Sequence, residues 1–341
     1  MDRRAWLKLA GSSLAAGLSG CGGGVAETRA PTVNRRLVAS YGGAGFGIWQ
    51  DGRLLDGEQL GNRLGSLSLT KAVAGLAVTR AVAEGWLSPD APLGGELSEW
   101  RGDPAKSRIT VRMLVNQSAG LAPSPTALYH GVVPDKGRVA LQLPLLDSPG
   151  TRFRYGPVCW EVLAELMHRK LKAQGSTLES FVSRLTGRIG ASSPEWRSDG
   201  KGRFYLSTGA EFSVRDLGRV GRVIGKLAAG ENEAGLDAAV FHDLSSPRAA
   251  NPMFGAGIWW NRNARKSGAF AVEPEKVLDG VHAPSFWNRA CLDPQVSPLW
   301  LALVGSGGKR IYVLPGENLV IARLGRSYSW SDRAFLASLN A

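Results

Sequence analysis

A serine and a lysine stand three residues apart at the start of a long apolar stretch. Ser68 is followed by Lys71, and apolar side chains recur at helical spacing over residues 69–86. Residues three apart lie on one face of a helix, so the spacing predicts that the Lys71 amine reaches the Ser68 hydroxyl. A serine needs a neighbouring base to become a nucleophile, and a partly buried lysine with a lowered pKa can be that base. The alternative is an ordinary amphipathic helix that carries both residues by chance.

The elements that must position this pair are strands at the two chain ends and helices between them. Residues 46–50 and 53–55 are β-like runs on either side of Asp51 and Gly52, which predicts a hairpin. Helical patterns fill the middle, at residues 69–86, 158–172 and 214–229. Short β runs and a closing helix come after them, at residues 301–304, 310–313, 319–322 and 332–339. We therefore predict one sheet shared by the chain ends around a helical middle.

Length, composition and charge indicate a globular chain. It has 341 residues with 44% apolar content, enough for one large domain or two small ones. The formal net charge of +12 comes from lysines and arginines that are scattered among apolar residues and form no basic tract. We interpret this as a solvated basic surface and do not predict a nucleic-acid partner.

The histidines and cysteines give no sign of a metal site. No histidine has a second histidine or a cysteine at ligand spacing; the four are His130, His168, His242 and His282. We predict no metal and no cofactor. Cys159 and Cys291 are interpreted as buried thiols, with a disulfide between them as the alternative that an exported protein would permit.

The first twenty residues have the pattern of a targeting signal. Arg3 and Arg4 precede a short apolar stretch and resemble a twin-arginine export signal, and residues 18–21 resemble a lipobox in which Cys21 is acylated. Glycines follow Cys21, and residues 21–36 read as a flexible tether. No other stretch has the roughly eighteen uncharged apolar residues of a membrane span. We predict an exported lipoprotein with a lipid anchor, facing the periplasm, whose folded domain is residues 37–341.

Four stretches downstream of Ser68 carry a family resemblance, in order, at residues 85–92, 109–121, 149–157 and 206–217. With residues 68–71 they resemble the serine β-lactamase-related family. The likeness runs from about residue 40 to the end. It is closest to the branch that holds class C β-lactamases, D-alanyl-D-alanine peptidases and esterases. The resemblance implies an α+β fold, with an antiparallel sheet flanked by helices and a helical lobe.

The resemblance also implies a mechanism. Ser68 would be acylated by an ester or amide carbonyl, and water would then release the acyl group. Tyr155, in residues 149–157, would join Lys71 in moving protons, the alternative being a tyrosine that only packs under the following helix. The backbone N–H groups of Ser68 and Lys309 would form the oxyanion hole. Gly307 and Gly308 would let substrate approach the strand, unless they merely form a turn.

Two departures from the family pattern bear on the substrate. Pro157 stands where the family has the asparagine of Y-x-N, so another group must orient Lys71, and Asn116 and Gln117 are the candidates. Asn116 is also predicted to bind substrate. Ser306 replaces the cation of the family's third motif, K-T-G or H-x-G, which helps bind a substrate carboxylate. Compensating cations could be Lys309, Arg310 or Arg63.

We therefore expect a hydrolase of a neutral small-molecule ester or amide, with an ester favoured and a compound derived from the cell wall as one candidate. The rival activities are a D-alanyl-D-alanine peptidase and a class C-like β-lactamase. A catalytically silent binding protein is the alternative that Pro157 and Ser306 favour. Trp259 and Trp260 are interpreted as core residues, the alternative being that one of the two lines the pocket.

Overall fold

Strands from both ends of the chain meet in one sheet in the computed structural model of the protein. The structure describes residues 42–123, 128–129, 133–191, 195–246, 250–264, 269–271 and 289–339. Their strands are β1 (Gly43–Gln50), β2 (Arg53–Glu58), β3 (Arg63–Gly65), β4 (Glu195–Trp196), β5 (Ala210–Ser213), β6 (Phe254–Gly255), β7 (Ile258–Trp260), β8 (Phe270–Ala271), β9 (Ala290–Cys291), β10 (Leu301–Gly305), β11 (Lys309–Leu314) and β12 (Leu319–Gly325).

The main sheet has seven strands in the order β2-β1-β12-β11-β10-β7-β6, and each neighbouring pair is antiparallel. The first strand of the chain pairs with the last, with Ile48 opposite Ile321, which confirms the sheet built from both chain ends. The predicted hairpin joins β1 to β2. Its turn residues Asp51 and Gly52 have φ angles of 50° and 77°, as a two-residue hairpin turn requires.

Eight α-helices lie in the described residues: α1 (Thr70–Ala83), α2 (Val111–Val115), α3 (Lys136–Gln142), α4 (Val158–Ala173), α5 (Leu178–Ile189), α6 (Val214–Ala228), α7 (Ala238–Ser245) and α8 (Asp332–Ser338). The helices predicted at 69–86, 158–172, 214–229 and 332–339 correspond to α1, α4, α6 and α8. Four helices were not predicted: α2, α3, α5 and α7. The combination of an antiparallel sheet with these helices is the expected α+β fold.

Helix α1 is buried along most of its length. Every residue from Thr70 to Ala81 is buried, so this helix has no solvent-facing stripe. α6 crosses strands β11 and β12 at close range, because a Cβ atom added at Gly221 would meet the side chains of Val320 and Ile311. A second cluster of buried side chains, rich in aromatic rings, includes Tyr155 and Trp259. The larger buried cluster joins apolar side chains of α1 to those of β10, β11 and β12.

Several sequence predictions concern the chain's thiols and its possible membrane segments. Cys159 and Cys291 are both buried thiols, and burial raises the pKa of each to about 12. Within the described residues, no helix is long and apolar enough to cross a membrane. The predicted export signal, the lipidation site Cys21 and the tether lie outside the described residues, as do His130 and His282.

Candidate active site

Ser68 lies on a tight turn that leads into α1. The turn is a 3₁₀ segment, Leu67–Leu69, and α1 begins directly after it at Thr70. Leu67 has a φ of 49°, a left-handed conformation that is uncommon for a residue with a branched side chain. The sequence predicted that Ser68 opens the helix itself, whereas the structure places it in the turn before the helix. Backbone strain next to a candidate nucleophile is a feature of functional sites.

The Lys71 amine reaches the Ser68 hydroxyl, as the spacing predicted. The distance from Lys71 Nζ to Ser68 Oγ is 2.8 Å, and the same nitrogen donates to the Ser207 carbonyl oxygen at 3.0 Å. Lys71 is 1% exposed. Burial lowers its pKa from 10.5 to about 7, against the opposing effect of the Glu161 carboxylate. A substantial fraction of this amine is therefore neutral at pH 7 and able to accept a proton.

Tyr155 lies beside the same lysine. Lys71 Nζ is 5.2 Å from the centre of the Tyr155 ring, and the tyrosine is 7% exposed. Three further aromatic side chains surround this ring, and they are Phe153, Phe254 and Trp259. Of the two tryptophans considered for the pocket, Trp259 is therefore the one next to Tyr155. Trp260 instead packs with Phe241 in the other apolar cluster.

Gln117 holds the backbone on both sides of Tyr155. Its carbonyl oxygen accepts from the N–H of Arg154 at 2.9 Å, and its Oε1 accepts from the N–H of Gly156 at 2.6 Å. Its φ of 52° is again left-handed. The sequence offered Gln117 and Asn116 as groups that orient Lys71, but Gln117 instead fixes the Tyr155 segment. Asn116 is 4% exposed, and neither polar atom of its side chain has a hydrogen-bond partner in the structure.

The orienting group for Lys71 is a backbone carbonyl. Pro157 occupies the N-cap of α4 and contributes no polar side-chain atom, as its identity predicted. In its place, the carbonyl of Ser207 accepts the hydrogen bond from Lys71. Sequence reasoning missed Ser207, because every residue carries a carbonyl and only the fold decides which one faces the amine.

A buried ion pair lies directly behind Ser207. Glu161 Oε1 accepts from the backbone N–H and the hydroxyl of Ser207, at 2.9 and 2.5 Å. Glu161 Oε2 accepts from Lys136 Nζ at 2.7 Å, and both side chains of the pair are at most 2% exposed. Sequence reasoning missed this pair too. The available signal was a glutamate in the otherwise apolar first turns of α4, where a charge is costly unless it is paired.

The turn between β10 and β11 borders the nucleophile. A Cβ atom added at Gly305 would lie 2.9 Å from the Ser66 carbonyl oxygen and 3.3 Å from the Leu69 nitrogen, so only glycine fits at this close approach. Gly307 and Gly308 have φ angles of 76° and 70° and lie in the turn, and their predicted place beside the substrate stays a prediction. The half-buried Ser306 lies between them and the strand end.

Lys309 lies on β11, which is flanked by β10 and β12, and it pairs with Gly305. Its Nζ donates to the Ser306 carbonyl at 3.1 Å. On its other side, β10 pairs with β7 at Leu301 and Ala302, and the Trp300 carbonyl accepts from the Asn261 N–H on that side. Ser306 follows β10 in the turn. The role of Lys309 as the strand's oxyanion donor stays a prediction.

The cations considered for a substrate carboxylate are engaged within the protein. Arg310 is fully buried, binds both carboxylate oxygens of Asp332 at 2.7 and 2.9 Å, and donates to the Gly305 carbonyl at 2.8 Å. Arg63 pairs with Asp216 at 3.1 Å. Within the described residues, no cluster of histidine, cysteine and carboxylate side chains could hold a metal ion.

Comparisons with known proteins identify the family of the chain. A scan of protein families matches the family described as Beta-lactamase over residues 34–339. The chain belongs to the β-lactamase family. No curated protein is similar enough in sequence to match it.

Solved structures of this family share the fold at low sequence identity. A β-lactamase from Mycobacterium bovis is 18% identical, with a TM-score of 0.60 over 89% of this chain and 96% of that one. A penicillin-binding protein from Bacillus halodurans is 15% identical, with a TM-score of 0.60 over 89% and 97%. EstCE1, titled a hydrolase with promiscuous acyltransferase activity, is 14% identical, with a TM-score of 0.62 over 89% and 95%. The serine β-lactamase-like fold is thus that of the protein.

Proposed function

We propose that the protein is a serine hydrolase that cleaves an ester or amide through an acyl-enzyme on Ser68, with an ester favoured. The observation that carries this proposal is the 2.8 Å contact between Ser68 Oγ and a buried Lys71 amine whose pKa is about 7. An amine that is partly neutral at pH 7 can accept a proton from the hydroxyl as it attacks. A lysine kept charged by solvent would not have this ability.

The chemistry then proceeds in two halves. In acylation, neutral Lys71 accepts the Ser68 proton while Oγ bonds to the carbonyl carbon, and the carbonyl oxygen becomes an oxyanion. When the bond to the leaving group breaks, Tyr155 or protonated Lys71 gives a proton to the departing alkoxide or amine. In deacylation, water loses a proton to the same groups as it attacks, and Ser68 recovers its proton as the acid leaves.

The oxyanion hole is assigned to the backbone N–H groups of Ser68 and Ser306. Two observations support the strand donor. Gly305 lies against the nucleophile turn, and Ser306 directly follows it in the turn after β10; Lys309, the donor predicted from the sequence, is the alternative. Removing one such donor typically costs about 10²–10³ in rate, which is why the close approach of Gly305 matters. Ser306, Gly307 and Gly308 would border the bound substrate, and Asn116 stays a candidate contact.

The expected substrate is neutral near the scissile bond. Ser306 carries no charge, and Arg310 and Arg63 are held by Asp332 and Asp216. A substrate carboxylate would therefore meet a weaker partner than the family's usual cation. This favours an ester over a β-lactam or a D-alanyl-D-alanine stem. A catalytically silent binding protein is less favoured. Pro157 cannot orient Lys71, but the Ser207 carbonyl accepts a hydrogen bond from this amine in its place.

Turnover of matched chromogenic substrates tests this order of preference. We expect kcat/KM for p-nitrophenyl butyrate to exceed that for a chromogenic cephalosporin and for a D-alanyl-D-alanine peptide. Ser68→Ala is the control that should abolish the enzymatic rate with every substrate. Faster turnover of the cephalosporin or the peptide would reverse the preference. No Ser68-dependent turnover of any of the three would favour the binding protein.

We also propose that the enzyme is exported and anchored by lipid on Cys21. The support is the order of a basic start, an apolar stretch and the cysteine in residues 1–21. Incorporation of a labelled fatty acid in a bacterial host should depend on Cys21 and disappear in Cys21→Ser. Equal labelling of both forms would contradict the anchor.

A further inference from the structure

The carboxylate of Glu161 is bound on both of its oxygens deep inside the protein. It accepts two hydrogen bonds from Ser207 and one from Lys136, and Glu161 is 0% exposed. The Ser207 carbonyl, in turn, accepts the hydrogen bond from Lys71. The contacts form a continuous chain from Lys136 to the hydroxyl of Ser68.

Stability alone does not explain this buried pair. Removing two charges from water is costly, and apolar residues of similar volume are often as stabilising as a buried ion pair. The pair, however, fixes Ser207 through both its N–H and its hydroxyl, which leaves its carbonyl with one orientation. That carbonyl meets the amine in a site where Pro157 supplies no polar group.

We propose that Glu161, held by Lys136, is a positioning residue that acts on Lys71 through Ser207 and sets the protonation of the catalytic amine. This inference rests on the proposed roles of Ser68 and Lys71. Glu161 does not touch the reacting atoms. It fixes the carbonyl that orients the amine, and its negative charge favours the ammonium form and so prevents burial from weakening the base further.

The charged groups around Lys71 determine the direction in which its pKa should change. Glu161 is the charged group that raises the pKa of Lys71, against the larger lowering by burial. Two further side chains lie close to the amine, the Ser68 hydroxyl at 2.8 Å and the Tyr155 ring at 5.2 Å. Lys136 stands behind Glu161 and partly cancels its charge.

Lys136 has charged and titratable neighbours of its own. Its Nζ lies 5.6 Å from the centre of the Tyr205 ring, and its backbone N–H donates to Asp199 at 3.1 Å. Asp199 pairs with Arg203 at 3.0 Å, so its charge is compensated locally. Neutralising Glu161 should therefore lower the pKa of Lys71, and neutralising Lys136 as well should lower it less.

The test measures the rate of Ser68 modification by a fluorophosphonate against pH, by intact mass. In the wild type, the rate should rise with pH through about 7, as Lys71 loses its proton. In Glu161→Gln, we expect the midpoint of this rise to move down by about one pH unit and the plateau to fall by about tenfold. The double variant Glu161→Gln with Lys136→Met should lie between the two midpoints, and it remains available if the single variant is unstable.

The outcomes separate this inference from the proposed function. If the wild type is modified at Ser68 and the variants have the same pH midpoint, only the role of Glu161 is overturned. Lost packing would lower the plateau of the modification rate without moving its pH midpoint. A wild type with no modification at Ser68 would remove the proposed function and this inference together. Thermal unfolding of each variant confirms that the rates refer to folded protein.

Discussion

Two residues on different sides of the candidate site, Ser207 and Gly305, are each hydrogen-bonded to a buried ion pair. On the helical side, Glu161 and Lys136 fix Ser207, whose carbonyl binds Lys71. On the sheet side, Arg310 donates directly to the Gly305 carbonyl and pairs with Asp332. The two arrangements differ in the group that lies beyond the carbonyl. The first leads to an amine whose pKa lies near 7, and the second leads to a strand end that does not titrate.

Similar buried ion pairs can therefore have different roles. The pair at Glu161 is coupled to proton transfer, whereas the pair at Asp332 sets the shape of the β10–β11 turn. Asp332 also accepts from the Tyr312 hydroxyl at 2.5 Å, and burial with this neighbouring charge raises the pKa of Tyr312 well above its usual range. The sheet-side network is thus a structural core, and the helical side is part of the chemistry.

The largest expected effect comes from removing the amine at the end of the helical-side chain. Lys71→Met should lower kcat/KM for a chromogenic ester by about 10²–10⁴-fold, since general base catalysis contributes on this scale. Lys226→Met is the matched control, because that lysine lies on α6 and pairs with Glu231 at the surface. A Lys71 variant within tenfold of the wild type would mean that another group accepts the Ser68 proton.

Breaking the sheet-side pair should act on stability and leave the titration alone. Asp332→Asn should lower the free energy of unfolding by about 3–5 kcal/mol, because it leaves Arg310 buried without its counter-charge. The midpoint of the pH–rate profile should stay where it is in the wild type, unlike that of Glu161→Gln. Asp243→Asn, in an exposed pair with Arg112, is the control and should cost at most about 1 kcal/mol. A shifted midpoint in Asp332→Asn would erase the distinction between the two sides.

The titration of Lys71 should also appear in the stability of the protein. Its pKa is about 7 in the folded state and 10.5 in an unfolded chain, so between these values the unfolded chain holds the extra proton. The free energy of unfolding should therefore gain a rising contribution from pH 7 to about 10, which Lys71→Met lacks. Urea unfolding at pH 6, 8 and 10 measures the difference between the two proteins. A constant difference across this range would show that the lysine is not neutral when buried.

A smaller effect is expected where β10 meets the nucleophile turn. Gly305→Ala should destabilise the protein by about 1–3 kcal/mol and lower kcat, because the new methyl group pushes the strand end away from Ser66 and Leu69. Gly316→Ala is the control, since a Cβ atom there meets no atom within 4 Å. An alanine at position 305 with full activity would place the oxyanion donor elsewhere.

The smallest effect concerns Asn116. Replacing its unpartnered buried amide in Asn116→Leu should raise the free energy of unfolding by about 1 kcal/mol. If the asparagine binds substrate, KM should rise while kcat changes little. An unchanged KM would assign the residue to structure alone.

Much of the fold could be predicted because it depends on patterns that the chain displays. Short β-like runs near both ends predicted the shared sheet, and the apolar stretch after Ser68 predicted α1. The additional helices α2, α3, α5 and α7 were missed. The Ser68–Lys71 contact was predicted correctly, because three-residue spacing at a helix start fixes it.

The rest of the site depends on tertiary contacts that no local pattern encodes. The Ser207 carbonyl faces Lys71 only because α1 and the segment before β5 are packed together. Likewise, the oxyanion donor was predicted at Lys309 from its place in the family motif, and only the fold shows that Lys309 pairs with Gly305 within the sheet. Glu161 was also missed, although its position carried a local signal. A charge within an apolar helix face indicates a buried partner.

The most direct test of the account is the site of covalent modification in the folded protein. Incubation with a fluorophosphonate, followed by proteolysis and mass spectrometry, should place a single adduct on Ser68 and none in Ser68→Ala. The modification rate should rise with pH through about 7, as neutral Lys71 becomes available. An adduct on another residue, or a folded wild-type protein that stays unmodified at pH 9, would contradict the role of Ser68 as nucleophile.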